Sequence, residues 1–257
     1  MRSEKSRFRR LQHKLVERVA VWGDRYLYKS HIQWIADQSW LDPYRPYMLN
    51  DPTMRRPQVR KLDRRFVLIE FARFTRELRG STAECGVARG VGSALICKAL
   101  DKSYGSDDRH YGFDAFSGLP EPAEIDRMAS GAKGWEAGDL KHDGTLAQAA
   151  LAQFPQAELK IGWIPETFKG LEDVLFRFVH IDVDLFEPTR DSIAFFYPRL
   201  VAGGVILLDD HGLTTCPGAR KAALDYFAGT SEIVLDLPTG QGLVIKRQTD
   251  KEQRASA

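Results

Sequence analysis

The chain has 257 residues, 43% of them hydrophobic and 28% charged, which fits one large or two small globular domains and excludes a disordered or fibrous chain. Its three cysteines, Cys85, Cys97 and Cys216, lack ligand or disulfide spacing, and no run of about 18 apolar residues exists to span a membrane. The net charge of +2 hides an asymmetry, with +10 over residues 1–80 and −8 over the remainder. The basic N-terminus lacks the apolar stretch of a secretory signal, so a cytoplasmic location is expected.

Residues 4–28 have the period of an amphipathic helix. Phe8, Leu11, Leu15, Val19, Trp22 and Tyr26 recur at threes and fours, with Arg7, Arg9, Arg10, Lys14 and Arg18 on the other faces. Such a helix can lie on a membrane or on nucleic acid, but packing on its own protein or on a second subunit is the expected use. Residues 29–60 mix Trp34, Trp40, Tyr44 and Tyr47 with four prolines and predict an irregular flap over an acceptor site. A helix is predicted over 62–79, with Phe66, Leu68, Ile69, Phe71, Ala72, Phe74 and Leu78 on its apolar side and Gly80 at its end. Strands follow at 82–85, 111–113 and 157–161, with helices at 93–100 and 145–154 and a polar excursion over 123–144. Next come a connecting helix near 166–174, a strand ending at Asp182, a helix over 189–200 and a strand from Gly204 to Asp209. A helix over 217–228 precedes a hairpin of 232–237 and 242–247.

Strands alternating with helices predict an α/β fold, a mostly parallel Rossmann-like sheet with helices on both faces and a C-terminal antiparallel hairpin. The expected division is an N-terminal helical arm or lid over 1–61, the α/β domain over 62–247 and a flexible tail over 248–257.

Glu84-x-Gly86-x-x-x-Gly90 follows a strand and opens a helix. It is not the G-x-G-x-x-G of a dinucleotide site, and a carboxylate before the first glycine would repel a pyrophosphate. The same carboxylate attracts an ammonium or sulfonium group, while helix N-terminal amides and Ser93 can hold a carboxylate. Asp114, at the end of the next strand, can bind a ribose diol. S-adenosylmethionine carries all of these groups. Its expected contacts are Glu84, Gly86, Val87, Gly90, Ser93, Asp114, Ser117 and Asp182, with Trp163 beside the adenine.

Two apolar runs, 178–181 and 204–208, end in carboxylate pairs: Asp182 with Asp184, and Asp209 with Asp210. If the strands are neighbours, four like charges meet at one sheet edge, and they need a cation or a proton among them. A hard divalent ion such as Mg²⁺ suits Asp182, Asp209 and Asp210. Asp209 and Asp210 can share it only if the strand has already ended, since neighbours on a strand point to opposite faces. A metal there would bind an acceptor hydroxyl and lower its pKa. Asp184 is the candidate general base, His211 a second candidate for base or acceptor contact, and His180, deeper in the strand, a satisfied core histidine.

The stretches Ala83–Gly90, Gly112–Pro122, Ile181–Thr189 and Tyr197–Asp210 resemble the macrocin O-methyltransferase (TylF-like) family. That resemblance, over about 62–247, implies a class I S-adenosylmethionine fold, a Mg²⁺ ion and methylation of a hydroxyl, often on a sugar of a natural product. By matching position it assigns Asp182, Asp209 and Asp210 to the metal, Asp184 to the base, and Glu84, Gly86 and Asp114 to the cofactor. Val183, Phe186 and His211 depart from the family's Gly, Tyr and Tyr, which bears on the acceptor. The expected partners are a glycoside-like hydroxylated small molecule and a second copy of the chain, a dimer; no motif for nucleic acid is visible. A non-catalytic cofactor-binding scaffold and an NAD-dependent oxidoreductase are the alternatives.

Overall fold

The computed structural model describes residues 33, 37, 39–48, 59–128 and 134–248. The helix expected over 4–28, most of the flap over 29–60 and the tail beyond 248 lie outside the described residues. Two 3-10 turns, Ser39–Leu41 and Arg45–Met48, are described within the flap. The chain divides into two compact units, Met1–Pro46 and Tyr47–Ala257, and the sheet belongs wholly to the second.

That sheet is built from β1 (Ser81–Cys85), β2 (His110–Asp114), β3 (Ala157–Ile161), β4 (Phe176–Ile181), β5 (Leu200–Leu208), β6 (Leu235–Asp236) and β7 (Gly242–Ile245). Every residue of β1 and of β4 is buried, which explains why both read as unbroken runs rather than alternations. The strand order is β3-β2-β1-β4-β5-β7-β6, parallel from β3 to β5 and antiparallel at β7 and β6. Order reverses between β1 and β4, so the crevice for a ligand opens where their carboxyl ends part. The hairpin falls where the sequence puts it, with β7 inserted beside β5.

Five helices are described: α1 (Val59–Phe74), α2 (Val91–Ala99), α3 (Thr145–Leu151), α4 (Phe186–Arg199) and α5 (Pro217–Phe227). α1 ends five residues before the predicted end, because Thr75 turns back and its hydroxyl donates to the Ala72 carbonyl at 2.8 Å. Leu68, Ile69 and Ala72 are buried, whereas Phe74, expected on the apolar side, is 58% exposed. The helix expected near 166–174 is instead one 3-10 turn, Glu166–Phe168. Gly170 at φ +85° takes the chain out of helical geometry, and Phe168 and Leu171 drop into the core. β5 begins earlier than predicted: Leu200 pairs with Phe176, and the predicted Ala202–Gly204 turn is an irregularity inside the strand, with Gly203 at φ +78°.

The core beside the sheet is aromatic. Phe113 meets Phe168 edge-on at 5.0 Å and Phe196 meets Phe176 at 4.9 Å, all four rings buried. Burying each such ring stabilises the fold by about 1.5–3 kcal/mol. α4 tolerates Pro198 because it sits in the last turn, where Lys246 Nζ donates to the carbonyls of Tyr197, Pro198 and Leu200. Among the described residues no helix is long and apolar enough to cross a membrane.

Candidate active site

At the carboxyl ends of β1 to β3 lies the half expected to hold the cofactor. Asp114 closes β2, and its two oxygens accept from the amides of Ala88 and Phe116, both at 2.7 Å. Those bonds lock the turn after β1 to the turn after β2. Val87 is buried against Gly112, Ser117 is exposed, and Trp163 stands 45% exposed just past β3, where the Gly162 amide donates to the Asp114 carbonyl at 3.0 Å. Asp114, Ser117 and Trp163 are therefore available to a ligand along this edge.

The glycines have a packing role of their own. At Gly86, φ +87°, an added Cβ would lie 1.8 Å from the Asp182 carbonyl oxygen. At Gly90 it would lie 2.9 Å from the Cα of Ala147 in α3. Both make room for close approach of the protein's own chain. Gly86→Ala is accordingly expected to destabilise the fold by roughly 2–4 kcal/mol, read as a lower urea midpoint.

Glu84 and Ser93 also depart from expectation. Glu84 is 2% exposed and Ser93 fully buried, and the Ser93 hydroxyl donates to Glu84 Oε2. On the other side Glu84 Oε1 meets His180 Nδ1 at 2.9 Å. The pair satisfies itself under the glycine turn. An alternating face explains this: Glu84 and His180 are in register on adjacent strands and point the same way, towards α2.

Beyond the switch point the four aspartates do meet. β5 ends at Leu208, so Asp209 and Asp210 lie in a turn and are not held to opposite faces. All four line a cavity of about 350 Å³, together with Arg64, Arg65, Trp135, Leu140, Leu213, Thr215 and Cys216. The structure sorts them into two groups. His180, Asp182 and Asp209 converge, as do Asp184, Asp210 and Cys216, with no two ligand atoms in either group more than 4.8 Å apart. The single set of Asp182, Asp209 and Asp210 expected from the sequence is divided between these groups.

Arg64, from α1, places its guanidinium among the carboxylates. Its Nη2 pairs with Asp209 Oδ2 and lies 3.4 Å from Asp210 Oδ1 and 3.0 Å from the Asp209 carbonyl. Gln241 Nε2 donates to Asp209 Oδ1 at 2.7 Å. Neither partner was legible in the sequence; a polar residue at the entry to β7 is the only mark of Gln241. Asp184 sits at φ +60° in a tight turn closed by the Leu185 amide on the Val183 carbonyl at 2.6 Å, a strained position that Asp tolerates better than most residues. Cys216 Sγ donates to Asp184 Oδ1 at 3.5 Å, and the Asp184 amide donates to Asp210 Oδ2 at 3.2 Å.

Burial, then the charge of Asp182, raises the Asp184 carboxyl to about 7. Asp210 is pushed well above the carboxylate range by burial and by Asp182 and Asp184, with Arg64 acting against them. His211 lies apart from the four acids' cavity. It is buried below the hairpin, packed against Gly242 with Nε2 3.3 Å from Asp236, and it does not line the acidic cavity.

The donors suit a divalent cation. Carboxylate oxygens are hard ligands of the kind that hold Mg²⁺ or Mn²⁺, and Asp182 and Asp209 converge without rearrangement.

A five-stranded parallel run with an antiparallel hairpin, a switch point between β1 and β4 and acids at their ends defines the Rossmann-like class I methyltransferase fold. Residues 61–238 match the family model described as Macrocin-O-methyltransferase (TylF), and the chain belongs to that family. It is 30% identical over 158 residues to the 8-demethyl-8-(2,3-dimethoxy-alpha-L-rhamnosyl)-tetracenomycin-C 4'-O-methyltransferase of Streptomyces olivaceus, covering 57% of this chain and 58% of that one. With the mycinamicin III 3''-O-methyltransferase of Micromonospora griseorubida it shares 26% identity over 164 residues, covering 60% and 64%. The match thus spans about three-fifths of the length of these curated relatives. Among solved structures, the O-methyltransferase NovP superposes with a TM-score of 0.58 at 21% identity, covering 74% of this chain and 81% of that one. The calicheamicin methyltransferase CalS11 gives 0.61 at 16%, covering 79% and 91%. Both show the fold.

Proposed function

We propose that the protein transfers the methyl group of S-adenosylmethionine to a hydroxyl of a small molecule, a sugar of a natural product, with the help of a divalent cation. The convergence of four aspartates on one cavity at the switch-point edge is the observation that carries this reading. S-adenosylmethionine supplies a methyl group on a positive sulfur, and a bound Mg²⁺ would supply charge that makes an acceptor hydroxyl easier to deprotonate. Asp114, Ser117 and Trp163 face the donor's side of the edge, and Asp182 stands between the two halves. Asp182 and Asp209 are the residues to hold the cation. Methyl transfer to a hydroxyl releases one proton, and Asp184 is the group to take it. Its carboxyl, held near 7, is a stronger base than an ordinary aspartate and is still ionised in a useful fraction at neutral pH. Trp135 and Leu140 offer an apolar wall beside these acids, suited to the face of a sugar ring. The sugar acceptor is supported by the activities for which the relatives from Streptomyces olivaceus and Micromonospora griseorubida are named.

Incubation of a glycoside library with S-adenosylmethionine and Mg²⁺, followed by mass spectrometry, is expected to show products heavier by one methylene unit. Cofactor binding without any product would favour a scaffold. Arg64 supports a second version of the chemistry, since a guanidinium already pairs with Asp209 and lies beside Asp210. Undiminished transfer in excess chelator would select that metal-free version.

A further inference from the structure

Arg177, in β4, carries a charge that the fold answers only in part. Its side chain is fully buried, and Nη1 donates to the carbonyls of Arg76, Leu78 and Ser103 at 3.3, 2.9 and 2.9 Å. Nε and Nη2 have no hydrogen-bond partner. The guanidinium lies over the Tyr104 ring, 4.9 Å from its centroid, and no carboxylate among the described residues pairs with it. Buried charges are normally paired and buried donors normally bonded. Burial lowers the Arg177 pKa from its ordinary value; Tyr104 and Asp108 oppose that, and Arg79, a like charge, adds to it. The three residues whose carbonyls hold Nη1 all line a cavity of about 540 Å³. It lies beside the amino ends of β1 and β4, the opposite end of the sheet from the aspartates, and shares no residue with their cavity.

The wall of this cavity is rich in cations. Arg76, Arg79, Lys98 and Lys102 line it against two acids, Glu77 and Asp101. Both acids are taken: Arg76 Nε pairs with Glu77 at 3.1 Å and Lys98 Nζ with Asp101 at 3.3 Å. Arg79 and Lys102 have no ion-pair partner among the described residues. Lys98 stands in the last turn of α2, where a basic residue offsets the helix dipole. Arg79 and Lys102 lie beyond the ends of α1 and α2, so that account does not cover them. We propose that this cavity binds a phosphate-bearing anion, held directly by Arg79 and Lys102 and favoured by the charge of Arg177 behind the wall. Three cations without an acidic partner suit a diphosphate group better than a single carboxylate, and phosphoryl oxygens accept well from a guanidinium. An anion there supplies the counter-charge that no side chain gives Arg177 and relieves its repulsion with Arg79. The inference does not rest on methyl transfer.

The probe is inorganic pyrophosphate, titrated calorimetrically into the full, metal-free chain at low salt. Wild type is expected to bind it with a Kd below about 1 mM. The double variant Arg79→Gln, Lys102→Gln is expected to bind at least about tenfold more weakly. Both side chains are exposed, so the variant keeps the fold, which its melting temperature checks. A second double variant, Lys169→Gln with Lys221→Gln, removes two exposed cations that do not line the cavity. It controls for the general charge of the chain and is expected to stay within about twofold of wild type. No binding by wild type, undiminished binding by the Arg79 and Lys102 variant, or an equal loss in both variants would overturn the proposal. None of these measurements needs a methyl donor or acceptor, so failure of the proposed function would leave this site standing, and failure here would leave that function untouched.

Discussion

Asp184→Asn is expected to lower kcat by about 10²–10⁴-fold, while the dissociation constant for S-adenosylmethionine stays within about threefold of wild type. Asparagine has nearly the shape of aspartate, tolerates the left-handed backbone at φ +60°, and can keep an acceptor oxygen towards Cys216. What it removes is the basic oxygen. The pH–rate profile separates this role from a structural one. In wild type, kcat rises with pH through a group that burial and Asp182 hold near 7, displaced downwards to the extent that a cation is bound. In the variant that limb should vanish. Asp182→Asn should behave differently, losing cation binding along with turnover. An Asp184→Asn enzyme with wild-type kcat would place the base elsewhere.

The second large effect concerns stability without metal. The folded-state pKa of Asp184 lies well above the ordinary aspartate value of 3.8, so the folded protein holds a proton that the unfolded chain has already lost. The stability from this group is complete below 3.8 and is lost as pH rises through about 7. Asp210 acts in the same direction. The melting temperature of the chelator-treated protein should therefore fall by several degrees between about pH 5.5 and pH 8. A divalent cation binds the ionised acids of the folded state alone and should restore most of that loss at the higher pH, with little effect at the lower. Asp184→Asn should flatten the apo profile. A metal-free protein equally stable at both pH values would mean that Arg64 neutralises the cluster by itself.

The sheet was legible because its strands are buried on both faces and end in polar residues, so Phe176–Ile181 and the run ending at Leu208 stand out without any alternation. The gathering of four aspartates followed from that. Their division into two groups did not, because it depends on how two turns fold back after the strands end. Arg64 contacts the Asp209 carbonyl across 145 positions of chain, and no local pattern marks an arginine on a helix as the partner of a distant acid. Glu84 shows the limit of motif reasoning. Its place before the glycine turn was legible, but its direction was set by pairing with His180 on the next strand. The 166–174 segment was misjudged for a local reason: its apolar residues, Phe168 and Leu171, have helical spacing, but Gly170 between them takes a left-handed turn.

β7 lies between β5 and β6, and the residue that leads into it, Gln241, donates to Asp209. On the ribosome the acids of β4 and β5 emerge well before this strand does. Until β7 pairs with β5, Asp209 lacks one of its holders and the edge of β5 away from β4 has no neighbour. The nascent chain therefore carries a nearly complete parallel sheet before the strand that braces Asp209 has formed.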